Sequence, residues 1–162
     1  MLDRYAAPVS DPEPDPGPSS VPACVFCDVI DGRRPAHMVL DDEVAVGFLD
    51  ISPLFPGHTL VVPRRHVVTL PDLDAATVGP FFERVQLMAR AMVEVLGAQG
   101  TFVANNNIVS QSVAHLHVHV VPRRRKDGLR GFFWPRQRYE DGQADDVARR
   151  LSDGIAAMHS TS

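Results

Sequence analysis

Apolar positions change their spacing several times along the chain, and each change predicts a different element. Residues 1–22 have no period at all. Pro8, Pro12, Pro14, Pro16 and Pro18 are set among Asp, Glu, Ser and Gly, a mix that can neither pair as a strand nor wind as a helix, so it is expected to be a disordered tail. Val25, Phe26, Val29 and Ile30 then form a short apolar segment that Asp31-Gly32 ends as a turn or helix stop. Val39-Leu40 and the run from Val44 to Leu49 flank Asp41-Asp42-Glu43, the pattern of a hairpin, and Thr59 to Pro63 reads as a strand closed by its proline. From Asp74 the period becomes helical: Val78, Phe81, Phe82, Val85, Met88, Ala89, Met92, Val93 and Leu96 share one broad face, up to Gly97. Thr101–Ala104 is expected as a strand, 105–107 as a turn, Val113–Val121 as a strand, and Gln143–Met158 as a second, amphipathic helix. Strands on both sides of one long helix imply an α+β fold, an antiparallel sheet with that helix packed on it.

Composition narrows the function classes. At 162 residues the chain can bury a core without disulfides. A net charge of -4 offers no general attraction to nucleic acid or to an anionic membrane, so phosphate binding must be local. No apolar run reaches the ~18 residues of a membrane span. The N-terminus MLDRYAAPVS has neither the basic flank nor the apolar stretch of a signal peptide, which makes the cytoplasm the expected compartment and the two cysteines thiols. Cys24 and Cys27 form a Cys-x-x-Cys pair. A redox pair would be expected to open a helix after a strand; this one follows a proline-rich segment, which favours zinc, and zinc needs two further ligands.

The stretch HLHVHVVPR places His115, His117 and His119 at alternate positions. In a strand these would share one face, with Leu116, Val118 and Val120 on the other. Three uses are open. The imidazoles could simply form the wet side of an edge strand. Two neighbours, ~6.6 Å apart, could share a metal, whereas the outer pair at ~13 Å could not. Or one imidazole could be a nucleophile or general acid/base, which a reference pKa of ~6.5 suits.

Several motifs occur in a fixed order: CVFCDVIDG, the acidic hairpin before FLDISPLFPGHTLVVPRRH, QSV, and HLHVHVVPR. Together, over roughly Cys24–Arg123, they resemble the histidine triad (HIT) superfamily, and the cysteine pair resembles zinc-bearing bacterial members of its Hint branch. The resemblance implies a HIT-like fold with its sheet extended across a homodimer, a domain at residues 23–126, and a C-terminal extension at residues 127–162 packing on the domain or on the partner. It implies attack by His117 on the α-phosphorus of a nucleoside phosphate conjugate, with a nucleotidyl-histidine intermediate. His117 would donate its other ring hydrogen to the His119 carbonyl, and the His119 side chain would contact the phosphate and leaving group. Cys24, Cys27, His66 and His115 would close a structural zinc site. Asp50 would take the ribose hydroxyls, and Phe26, Ile30 and Ile51 would wall the base. His58 would lie on the active-site side, and Asn106, Gln111 and Ser112 would meet the phosphate. The chain departs from the family in NNNIVSQSV, a shorter loop without the usual glycines, which leaves open which of Asn105, Asn106 and Asn107 reaches the substrate.

The expected activity is hydrolysis of purine nucleoside phosphoramidates, with an adenosine or guanosine conjugate as substrate. One alternative is hydrolysis or phosphorolysis of dinucleoside polyphosphates, in which the basic run from Arg123 to Lys126 would engage distal phosphates and Trp134 would reach the partner's site. Another is a nucleotide-binding scaffold with incidental catalysis.

Overall fold

A computed structural model describes residues 24–129 and 138–159. The expected tail at 1–22, and Phe132, Phe133 and Trp134, lie outside the described residues. The chain divides into two units, one ending at Asp127 and one beginning at Gly128.

In the first unit, α1 (Val25–Ile30) precedes β1 (Met38–Asp41), β2 (Ala45–Leu49), β3 (Thr59–Pro63), α2 (Ala75–Glu94), β4 (Gly100–Asn105) and β5 (Val118–Arg123). The strands form one antiparallel sheet in the order β1-β2-β3-β5-β4. This is the α+β arrangement that the hydrophobic pattern implies. Asp42 makes the β1–β2 turn, its Oδ1 accepting the N–H groups of Val44 (2.8 Å) and Ala45 (3.0 Å).

The sheet is covered on both faces. α2 buries Phe81, Val85, Met88 and Met92 against Ala45, Val61, Val118 and Val120, each such side chain stabilising the fold by about 1.5–3 kcal/mol. The buried stripe is narrower than the sequence pattern suggests: Val78, Phe82, Val93 and Leu96 stay exposed. Gly97, at φ 63°, ends the helix, and Ala98 N–H returns to the Met92 carbonyl at 3.1 Å. On the other face α1 packs Phe26 and Val29 with Val46, Phe48, Leu60 and Val62. His119 pairs with Leu60 across the β3–β5 ladder and so belongs to this second face. A cavity of about 790 Å³ between the C-terminal part of α2 and the sheet, lined by Phe55, Met88, Met92, Leu96 and Pro122 among others, opens on the opposite face from His119.

One strand starts later than its pattern predicts. β5 runs from Val118 to Arg123 instead of from Val113, so His115 and His117 precede it. The reason lies in the backbone partners. Leu116 N–H donates to the Val67 carbonyl (2.7 Å), the carbonyls of His115 and His117 accept side-chain donors, and residues 115–117 have no ladder partner among the described residues. In the second unit α3 (Gln143–His159) carries surface ion pairs from Arg149 to Asp146 (2.6 Å) and Asp153 (3.8 Å).

Candidate active site and metal cluster

Four side chains from three parts of the chain converge beside α1. Cys24 caps that helix and Cys27 lies in its first turn, while His66 follows β3 and His115 precedes β5. The Cys-x-x-Cys pair therefore does open a helix, as a redox pair would. The two imidazoles that meet it distinguish the cases. His66 Nδ1 is 3.2 Å from Cys27 Sγ, and His115 Nδ1 is 3.5 Å from Cys24 Sγ and 3.6 Å from Cys27 Sγ. Tetrahedral ligation by two thiolates and two imidazoles spaces its donor atoms by roughly 3.6 Å, and all four donor atoms here lie within 4.8 Å of one another. The group can hold a metal.

The protonation chemistry fits the same conclusion. His115 is fully buried (0% exposed), which lowers its pKa and keeps the ring neutral, and the hydrogen on Nε2 donates to the Pro63 carbonyl at 2.9 Å. The lone pair is thereby left on Nδ1, facing the sulfurs. Burial, then the neighbouring Cys24, pushes the Cys27 thiol up to about 11. Two adjacent thiols cannot both ionise without a cation to receive them.

The second cluster begins two residues on. His117, 2% exposed, donates from Nδ1 to the carbonyl of His115 at 2.7 Å. This corrects the expected acceptor: the His119 carbonyl lies in the strand ahead, whereas the turn at 115–117 folds the His115 carbonyl back onto the ring. Its Nε2 then carries the lone pair and has no hydrogen-bond partner among the described residues. Phe26 packs edge-on at 5.3 Å between ring centroids, and His119 packs at 5.0 Å.

His119 is set by His58. Leu54 N–H donates to His58 Nδ1 (3.2 Å), so the His58 proton sits on Nε2 and points at His119 Nδ1, 3.0 Å away. The hydrogen of His119 is consequently on Nε2. Burial, then the neighbouring His117 and His58, lowers the His119 pKa to about 4 against the opposing pull of Asp50. His58 is 3% exposed and lowered by burial as well. Asp50, His58 and His119 also come within mutual reach of one ion, but His58 and His119 spend a proton and a lone pair on each other.

The remaining expected site residues are distributed unevenly. Asp50 Oδ1 accepts Ser52 N–H (2.8 Å) and Oδ2 lies 3.6 Å from His58 Nδ1. Ile51 is 93% exposed, Phe26 is buried and Ile30 is partly buried. Among the described residues the Asn106 side chain bonds only to the Ser110 carbonyl, at 3.4 Å, and Asn107 Oδ1 accepts Leu70 N–H at 2.9 Å. Of the three asparagines it is Asn105, from the end of β4, that meets the triad, its Nδ2 donating to the His117 carbonyl at 3.1 Å. The sequence leaves the choice among the three open, and the β4–β5 register, which sets Asn105 opposite Val118, decides which of them meets the triad. The Gln111 amide is taken up by backbone groups, described below, while Ser112 Oγ has no hydrogen-bond partner among the described residues.

In the loop after β4, Ile108 and Ser110 take φ values of 67° and 61°. For a β-branched residue that conformation costs on the order of 1–3 kcal/mol, which the surrounding hydrogen bonds must offset. Arg123 shares the face of His119 four residues along β5, but its guanidinium is held by Asp127 (2.6 and 2.9 Å). Arg124 donates to the Leu96 carbonyl at 3.1 Å.

Comparison with known proteins gives this arrangement a context. The family model described as the HIT domain matches residues 31–126. The chain is similar to "Adenylylsulfatase HINT3" of Arabidopsis thaliana, 32% identical over 108 residues, 65% of this chain and 55% of that protein. It is similar to "Adenosine 5'-monophosphoramidase hnt1" of Schizosaccharomyces pombe, 29% identical over 115 residues, 70% and 84% of the two chains. Among solved structures it resembles a Zn-bound histidine triad family protein from Mycobacterium smegmatis at TM-score 0.64 and 37% identity, over 86% of this chain and 98% of the other.

Proposed function

Because this chain belongs to the HIT domain family, we propose that it is a nucleotide hydrolase or nucleotidyltransferase that attacks the α-phosphorus of purine nucleoside phosphoramidates and related adenylyl conjugates through His117. The observation that carries the reading is the bond from His117 Nδ1 to the His115 carbonyl, because a ring hydrogen held on Nδ1 reserves the Nε2 lone pair for attack, and Nε2 has no hydrogen-bond partner among the described residues. In the first step that lone pair forms a P–N bond as the bond from phosphorus to the leaving group breaks. In the second, water or another acceptor forms a bond to phosphorus and His117 departs with its lone pair restored. His119 presents its Nε2–H to the phosphate or the leaving group, held in that tautomer by His58. The names of the two relatives, an adenylylsulfatase and an adenosine monophosphoramidase, support a conjugate of a nucleoside monophosphate as the substrate class.

Asp50 is assigned to the ribose hydroxyls and the exposed Ile51 to the base. The phosphate is assigned to Ser112 and to the backbone N–H groups at 112–114, which have no partner among the described residues. Cys24, Cys27, His66 and His115 are assigned to a structural zinc ion, whose contribution when bound is to tie α1 to the segments around His66 and His115. A homodimer formed along β4 is consistent with that strand's place at the edge of the sheet, with Val103 exposed. Sedimentation of the full chain tests it, and a monomer at assay concentration would exclude it.

The test of function is a substrate panel. Adenosine phosphoramidate and diadenosine polyphosphates, each with and without inorganic phosphate, are offered to the zinc-loaded protein, and turnover is quenched with an α-phosphorus-labelled substrate present. Label retained on protein and preference for the phosphoramidate are expected. Binding without turnover of any member would support the scaffold alternative.

A further inference from the structure

Gln111 is the natural candidate for a phosphate ligand from its place just before the triad, and the structure gives it other work. Its Nε2 hydrogens reach the Val68 carbonyl at 2.7 Å and the His115 carbonyl at 3.4 Å, and its Oε1 accepts Ile108 N–H at 2.8 Å. A primary amide has two donors and one carbonyl oxygen, so each of its polar atoms is engaged. The three partners belong to three separate segments. Val68 lies two residues after His66, and Ile108 is one of the two positive-φ residues of the loop after β4. The His115 carbonyl is the one that receives the His117 ring hydrogen. A carbonyl oxygen has two lone pairs, and here the nucleophile's ring and Gln111 take one each.

We propose that Gln111 is a positioning residue: it holds the His115 carbonyl where that carbonyl keeps the hydrogen of His117 on Nδ1, and thereby keeps the lone pair on Nε2. This deepens the reading of His117 as the nucleophile and rests on it. Without the amide, the 111–117 turn retains His115 N–H to Val113 and Leu116 N–H to Val67 but loses the tie across the loop. The carbonyl can then rotate, and the ring can populate the tautomer whose Nε2 carries hydrogen and cannot attack.

The test uses full-length, zinc-loaded, 15N-labelled protein. Long-range 1H–15N spectra read the two ring nitrogens of His117, identified by their loss in His117→Ala, and steady-state kinetics are run beside them. Wild type should show a single Nδ1–H tautomer. Gln111→Ala should show averaging between tautomers, with kcat lower by about 10- to 100-fold and KM nearly unchanged. Gln111→Glu keeps the size and the acceptor for Ile108 N–H but removes both donors; it should show the same averaging even if the alanine variant folds poorly. A raised KM with the tautomer and kcat intact would make Gln111 a phosphate ligand and overturn the proposal. So would a fixed tautomer and full kcat in both variants, or a wild-type His117 protonated on Nε2. The spectra need no turnover, so they judge the role of Gln111 even if His117 proves not to be the nucleophile.

Discussion

His115 and His117 are two residues apart, both almost wholly buried, and the same device, a backbone carbonyl, engages opposite nitrogens of the two rings. In His115 the backbone carbonyl of Pro63 takes the hydrogen on Nε2, and the free lone pair is Nδ1, facing two sulfurs. In His117 the carbonyl of His115 takes the hydrogen on Nδ1, and the free lone pair is Nε2, facing no protein group among those described. On the proposed assignments, the difference between a metal ligand and a nucleophile is which ring nitrogen meets a carbonyl. Side-chain identity and burial are the same at both positions.

That comparison can be broken at either histidine, and the largest effect is expected at the second. His117→Ala should lower turnover of adenosine phosphoramidate by at least about 10³-fold, as loss of a nucleophile does, with metal content unchanged. Retained turnover would remove the nucleophile from this position. At the first cluster, Cys24→Ser or His66→Ala should lower zinc stoichiometry and the melting temperature together, by on the order of 10 °C if several kcal/mol of folding free energy are lost with the metal. A variant that lost zinc and activity while melting normally would make the metal catalytic and leave His115 and His117 with a shared task.

A third prediction sharpens the contrast through protons. The folded-state pKa of His119 is about 4, below the ordinary 6.5, so the unfolded chain takes up this proton first as the pH falls. The resulting stability is fully present above about pH 6.5 and is lost as the pH falls toward 4. The difference in melting temperature between wild type and His119→Gln should therefore shift against the wild type between pH 6.5 and 4, with any acid loss of metal common to both. A difference independent of pH would mean that burial leaves the His119 pKa at its ordinary value in the folded protein. The smallest effect is expected from the basic run. Arg123 and Arg124 are engaged with Asp127 and the Leu96 carbonyl. Neutralising Arg125 and Lys126 to Gln should then change kcat/KM for a phosphoramidate by less than about twofold, in keeping with exposed charges. A loss confined to diadenosine polyphosphates and shrinking with added salt would favour the dinucleotide reading instead.

What could be read from the sequence follows from what side-chain pattern encodes. The Asp41-Asp42-Glu43 turn, the long helix ending at Gly97 and the antiparallel α+β class are written in apolar spacing and turn chemistry, and they appear where the pattern puts them. The meeting of Cys24, Cys27, His66 and His115 came from an ordered set of motifs, since no local spacing relates residues 24 and 115. β5 starts later than the pattern implies because alternation continues through His115, while Leu116 N–H bonds to the Val67 carbonyl and the carbonyls of His115 and His117 take side-chain donors. The acceptor of the His117 hydrogen was misassigned for a related reason: a carbonyl is carried by every residue, and only the turn decides which one faces the ring. Asn105 and Gln111 are ordinary amides in sequence, and their roles appear only when their partners are known to be the His117 and His115 carbonyls.

His115 also sets how this site can be inherited. Its imidazole serves the cysteine cluster and its carbonyl serves His117, but a substitution can remove only the first, because any residue at that position still carries a carbonyl. A lineage could drift away from cysteines and metal at this end and still transmit an oriented nucleophile, provided the turn survived. The reverse path is closed, since no exchange of side chain at 115 removes the acceptor while keeping the ligand. The older of the two functions, in the sense of the one harder to mutate away, would then be the one written in the main chain.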